Sequence, residues 1–168
     1  MIVIFDGPDL SGKTTAIEKY TKFYNKGFTL KNNFKPKDAD SRELHNRYRH
    51  ILSLLEKENF EDLIILDRFF PSQAVYSYLR GNDEMESFDI KYLDHFCANH
   101  EIRFVYITVD IETLEERYRK RGDEHISLKD LKILKTRYDI FYEKTMMDKI
   151  KIDTTKSGWI RKLTRWLK

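Results

Sequence analysis

Gly7-Pro8-Asp9-Leu10-Ser11-Gly12-Lys13-Thr14-Thr15 fits the pattern G-x-x-x-x-G-K-[ST], a loop that wraps phosphate groups in backbone amides. The pattern carries weight only between a strand and a helix, and its flanks supply both. Met1-Ile2-Val3-Ile4-Phe5 is an apolar run of strand length, and Ala16, Ile17, Tyr20, Phe23 and Tyr24 recur at helical spacing. Glycines let the chain curl so that N–H groups converge on an anion, and the new helix adds the positive end of its dipole. Gly7, Ser11, Gly12 and Thr15 belong to this cradle; Lys13 can reach the outer phosphates, and the Thr14 hydroxyl can ligate magnesium. The rival reading is a Gly-rich turn opening an ordinary helix, which the flanking context disfavours.

The chain has 168 residues, which predicts a single domain (1–168) with a substantial core. With 40% hydrophobic and 14% aromatic residues it is not a disordered chain. A net charge of +3 suits anionic ligands such as nucleotides without calling for a nucleic-acid partner. Cys97 is the single cysteine, so no internal disulfide forms. A reducing, cytoplasmic setting is expected, and no signal peptide or membrane-length apolar run is visible.

Further along, Gly27 reads as the stop of the first helix, and Phe28-Thr29-Leu30 as a short strand. A polar irregular stretch follows over 32–40. Ser41 caps a helix with Leu44, Tyr48, Ile51, Leu52 and Leu55 on its buried stripe and Arg42, His45, Arg47, Arg49 and His50 on its other faces. Leu63-Ile64-Ile65-Leu66 reads as a parallel strand covered on both sides. Asp67 and Arg68 follow at its C-terminal end, where open α/β sheets bind ligands. A carboxylate there can hold magnesium, and an arginine can grip a second phosphate. The alternative is a structural ion pair.

A helix then carries Ala74, Val75, Tyr78 and Leu79, and Gly81-Asn82-Asp83 breaks it. The next runs over 87–99 with Ile90, Leu93, Phe96 and Cys97 inward, Cys97 as a small core residue. A strand spans 102–108. Asp110 caps a helix with Glu115–Arg119 and Glu116–Lys120 pairs, which ends at Gly122. The basic segment from Arg117 through Arg121 reads as part of a mobile flap over about 117–127 that closes on a transferring phosphoryl group. Ser127 and Asp130 form a capping box for a helix with Leu131, Leu134, Tyr138, Phe141 and Tyr142 inward. A strand over 149–152 precedes a last helix, capped by Ser157, whose apolar side covers the sheet. The alternation predicts an α/β fold: a three-layer, five-stranded parallel sheet with helices on both faces.

In these features the chain resembles the thymidylate kinase-like P-loop nucleoside monophosphate kinases along nearly its whole length. The phosphate loop with its acidic Asp9, the run Asp67-Arg68-Phe69-Phe70-Pro71-Ser72-Gln73-Ala74-Val75-Tyr76, the Val109-Asp110 to Arg121-Gly122 segment, and Ile152-Asp153 before a closing helix carry the resemblance. It implies a P-loop kinase fold with a short basic lid and phosphoryl transfer from ATP with Mg2+ to a deoxynucleoside monophosphate. It implies that Lys13 and Thr14 serve donor phosphates and metal, and that Asp67 supports the metal. Arg68 would hold the acceptor, with Ser72 and Tyr76 beside it, and Asp9 would approach the acceptor sugar or the metal. Arg117 and Arg121 would come from the lid, Asp153 would lie by the adenine, and Arg47 would read the acceptor base. A homodimer is also implied, and no membrane partner. The chain departs from the family in lacking an R-E-P-like loop over 32–37 and in placing Glu43 or Leu44 where an aromatic stacks the base. It is shorter than typical members, as a compact viral form would be. Two other readings stand beside this one: a kinase of a nucleoside, or of a hydroxyl on a modified base or end in DNA, and a nucleotide-dependent binding module.

Overall fold

The computed structural model describes residues 1–24, 28–31, 41–57, 63–80, 87–122 and 126–168. The expected stop at Gly27, the loop over 32–40, the break at Gly81-Asn82-Asp83 and lid residues 123–125 lie outside them, as do the side chains of Arg42, Leu44, His45 and Leu55.

Strands β1 (Ile2–Asp6), β2 (Phe28–Lys31), β3 (Ile64–Asp67), β4 (Arg103–Thr108) and β5 (Lys149–Asp153) are joined by helices α1 (Lys13–Tyr24), α2 (Ser41–Lys57), α3 (Phe70–Arg80) with α4 (Ser87–Asn99), and α5 (Ile111–Arg121) with α6 (Leu128–Lys144). Helix α7 (Trp159–Leu167) closes the chain. The sheet runs β2-β3-β1-β4-β5, every neighbouring pair parallel. Parallel strands need crossovers, and the helices that make them cover both faces.

Strands β1, β3 and β4 are apolar on both sides, and their period of two sorts the core into layers. Ile4, Ile64, Leu66, Phe104 and Tyr106 face α2, α3, α4 and α6, meeting Tyr48, Leu52, Val75, Leu93, Cys97 and Leu134. Val3, Phe5, Ile65, Val105, Ile107 and Ile152 face α1 and α7, meeting Ala16, Ile17, Tyr20, Trp159, Leu163 and Leu167. This is the α/β architecture with a parallel sheet that the alternation predicts. The apolar side of α7 covers the sheet, and its Arg161 and Arg165 face solvent. Burial pushes the Cys97 thiol well up, with Asp94 adding to the rise, as suits an inert core residue.

Several local readings shift. The N-cap of α7 is Gly158, at φ 77°, without a side-chain cap bond; the left-handed turn it makes into Trp159 takes the place of Ser157. Phe23 and Tyr24 follow the apolar spacing of α1 but are exposed, because α1 runs past the sheet; Tyr24 stacks on Tyr20 at 5.9 Å. Tyr78 points outward from α3, with the Arg137 guanidinium over its ring. The caps at Asp110 and Gly122 form as expected, with Thr113 N–H donating to Asp110 at 2.7 Å and Gly122 N–H to the Tyr118 carbonyl at 2.7 Å. At Ser127 the Asp130 N–H donates to the serine at 3.1 Å, and the serine hydroxyl donates back to the Asp130 carboxylate.

Asp139 ties α6 to the edge strand through Lys151 at 2.5 Å and pairs within the helix with Lys135 at 2.8 Å. Burial alone would raise its carboxyl, but the two lysines outweigh burial and hold it below the ordinary range. A depressed folded value stabilises the protein above the unfolded carboxylate's titration, and that contribution is lost as pH falls through the folded value. Asp139→Asn should therefore cost about 0.5–1 kcal/mol at neutral pH for this half-exposed pair. The gap to the parent should close below pH about 4, as measured by urea melts across pH.

Candidate active site

The central strand β1 ends at Asp6, flanked by β3 and β4, with Phe5 level with Asp67 and Asp6 level with Tyr106. The chain order reverses across β1, which opens the crevice where such sheets bind ligands. The phosphate loop leaves β1 here. A Cβ on Gly7 would stand 2.1 Å from the Ile107 carbonyl oxygen, so only glycine lets the loop pass β4. Leu10 (φ 60°) and Gly12 (φ 88°) are left-handed and curl the loop into the N-terminus of α1. Two distant segments staple it: Arg117 of α5 donates to the Leu10 carbonyl at 2.7 Å, and Thr154, next to Asp153, donates to the Ser11 carbonyl at 3.2 Å. The Ser11 hydroxyl is buried and has no partner among the described residues.

Lys13 is pulled across to Asp67 in a short ion pair that joins α1 to the end of β3. Thr14 and Thr15 are exposed on the first turn of α1. Past Asp67 the backbone enters the left-handed region at Arg68 (φ 65°), which costs a residue with a Cβ roughly 1–2 kcal/mol. That twist turns the Arg68 side chain back over the phosphate loop. Its Nη2 pairs with Asp9, and its Nη1 donates to Ser72 Oγ at 3.1 Å. Tyr76 O–H donates to the other Asp9 oxygen at 2.6 Å, and its ring lies 5.4 Å from the guanidinium carbon. Burial works against the charge on Arg68, and Tyr76, Tyr138, Asp6 and Asp9 together more than offset it, so the guanidinium stays protonated. Burial pushes the Tyr76 phenol up; Arg68 opposes the rise and Asp9 adds to it.

The structure thus brings together Gly7, Asp9, Ser11, Gly12, Lys13, Asp67, Arg68, Ser72, Tyr76 and Arg117. Asp153 ends β5, next to the loop whose Thr154 touches the cradle, and its carboxylate accepts from Thr155 N–H at 2.9 Å. Beside that loop opens a cavity of about 400 Å³, lined by Thr108, Val109, Asp110, Asp153, Lys156 and Trp159 among others. Two expected site residues stand apart. Arg47 is exposed on α2 and pairs with Glu43 at 2.8 Å, and Arg121 is exposed at the end of α5. Sequence reasoning missed Asp6, Tyr138 and Thr154. Asp6 was detectable as a charge ending an apolar strand, whereas Tyr138 is one more apolar position on its helix.

No protein-family model matches this chain. It is 24% identical over 131 residues to the SPbeta prophage-derived uncharacterized protein YorR of Bacillus subtilis (strain 168), an alignment covering 77% of this chain and 74% of YorR. The crystal structure of YorR in complex with phosphorylated GDP superposes with a TM-score of 0.76 at 20% identity, covering 99% of this chain and 95% of that one. Deoxyadenosine kinase from M. mycoides, with products dCMP and dCDP bound, superposes with a TM-score of 0.62 at 18% identity, covering 99% and 98%. The same kinase with bound dATP gives 0.60 at 16%, covering 99% of both chains. These likenesses establish the fold, one shared with a deoxyadenosine kinase; none of the three structures is described as a thymidylate kinase.

Proposed function

We propose that the protein is an ATP-dependent nucleotide kinase that moves the terminal phosphoryl group of ATP onto a deoxynucleoside monophosphate, dTMP or a related modified deoxynucleotide, to give the diphosphate. The observation that carries this reading is the pair of cations at the tip of one crevice. Lys13 stands in the phosphate loop paired with Asp67, and Arg68 leans over that loop from the end of the neighbouring strand, paired with Asp9. Phosphoryl transfer asks a protein mainly to hold two reactants in line and neutralise developing charge. Loop amides and Lys13 bind the donor phosphates, Arg117 braces the loop from α5, and Arg68 orients the acceptor. The base of the donor fits the cavity beside Asp153.

Asp67 and Thr14 suit Mg2+, which takes one or two protein oxygens and completes its shell with phosphate and water. Asp67 gives one oxygen to Lys13, and the Thr14 hydroxyl is exposed at the helix start. When bound, the ion would neutralise charge on the donor phosphates.

A second reading has a specific observation behind it. Arg68 is already paired with Asp9 and lies 3.6 Å from Asp6. One guanidinium facing two carboxylates also suits a neutral deoxynucleoside, with Asp9 taking the hydroxyl proton. The relative crystallised with dCMP and dATP is named a deoxyadenosine kinase. A role as a membrane-binding module through α7 has less support, since the apolar side of that helix is spent on the sheet.

A coupled ADP-release screen across deoxynucleosides, their monophosphates and DNA tests the proposal. ADP release dependent on a free monophosphate is expected. Release with nucleosides alone selects the second reading. Label transferred from γ-labelled ATP only into DNA would point to a polymer acceptor, and no stimulation by any acceptor would refute the kinase.

A further inference from the structure

Asp6 is fully buried and gathers donors from three parts of the chain. Its Oδ1 accepts from Gly7 N–H and from the Tyr138 hydroxyl, both at 2.8 Å, and its Oδ2 accepts from Ser72 N–H at 2.8 Å. The Ser72 hydroxyl lies 2.7 and 2.8 Å from the two carboxylate oxygens. A hydroxyl has one proton to give. The contacts of Ser72 and Tyr138 to Asp6, at 2.7 and 2.8 Å, are shorter than the 3.0 Å between the two hydroxyls, and assigning both protons to the carboxylate leaves two oxygens with only lone pairs to offer. Those oxygens face Arg68 Nη1, at 3.1 Å from Ser72 and 3.5 Å from Tyr138, and the Gly7 carbonyl and Tyr76 hydroxyl stand at 3.5 Å from the same nitrogen. Burial pushes the Tyr138 phenol well up, with Asp6 adding to the rise, so it remains a donor to Asp6 at any working pH.

We propose that Tyr138, on a helix far along the chain from the phosphate loop and the Asp67-Arg68 turn, is a positioning residue for phosphoryl transfer. Its hydroxyl, locked onto Asp6, completes with Ser72 the seat that aims Arg68 at the acceptor. The inference rests on the kinase reading above. Arg68 has little freedom of its own: its backbone is held left-handed, and its other nitrogen is spent on Asp9. The direction of the guanidinium is therefore set by what surrounds Nη1, and Tyr138 supplies part of that from α6, the helix that follows the lid.

Tyr138→Phe tests this with little change in packing, because the ring keeps its stack on Tyr106 at 5.8 Å and its edge contact with Tyr76 at 6.4 Å. In the wild-type background we expect acceptor kcat/KM to fall about tenfold while the KM for ATP moves less than about twofold. In an Arg68→Ala background the same substitution should cost nothing further, since residues acting through one group are not additive. Ser72→Ala should reproduce the split between acceptor and ATP if Tyr138→Phe fails to fold. Unchanged acceptor kinetics, an equal loss for ATP, or a full tenfold loss without Arg68 would each overturn the inference and leave the kinase reading standing. A wild-type protein that transfers no phosphoryl group to any acceptor would bring down both.

Discussion

Lys13→Ala should reduce turnover about 10³-fold while the protein keeps its fold. A single donor aimed at developing charge in a water-poor site commonly contributes 10²–10³, and a cation on transferring phosphate sits at or above the top of that range. Lys13 lies at the first position of α1 with its ammonium carried across to Asp67, outside both apolar layers of the core. Its loss takes nothing from the two apolar layers, but it removes a buried stem and leaves Asp67 without its counter-charge, so a melting temperature a few degrees lower is expected. Steady-state ADP release alongside circular dichroism checks both halves. Turnover within tenfold of the parent would remove Lys13 from the donor site.

Arg68→Ala should cost acceptor kcat/KM about 10²-fold or more and leave ATP affinity nearly unchanged. The guanidinium pairs with Asp9 and Ser72, whereas the ammonium of Lys13 is engaged by a different carboxylate, Asp67. Alanine inherits the left-handed backbone at this position without relief, whereas glycine accepts it freely. Arg68→Gly is therefore the sharper control. It should match alanine in lost activity yet be the more stable of the two by roughly 1 kcal/mol. A variant that binds ATP poorly while using the acceptor normally would show the two phosphate sites to be exchanged.

Much of the scaffold was readable because each strand is a short apolar run bounded by turn chemistry. Leu63-Ile64-Ile65-Leu66 announces a covered parallel strand by composition alone, and Asp110 and Gly122 mark helix ends by side-chain oxygen and by backbone freedom. The phosphate loop was equally plain, since a cradle of amides has a nearly unique local spelling. The surroundings of Arg68 were harder to read. Ser72 follows Arg68 by one turn of chain and reads as a ligand contact, yet its hydroxyl serves Asp6. Tyr138 sits among Leu131 and Leu134 on an apolar stripe, and no periodicity separates a tyrosine that packs from one that also anchors a carboxylate. Phe23, Tyr24 and Tyr78 show the opposite limit: helical spacing marks a face without saying where the neighbouring layer ends.

The sheet order has a consequence for the birth of the molecule. Val3 pairs with Ile65 on one side and with Arg103 on the other, so β1 finds both its neighbours far along the chain. A nascent chain must close two long loops before the opening residues find their place, and such remote pairings slow folding. Until Arg103 has left the ribosome the N-terminal strand lacks one of its two neighbours. The phosphate loop, which starts where β1 ends, is accordingly fixed in place only after those remote pairings have closed.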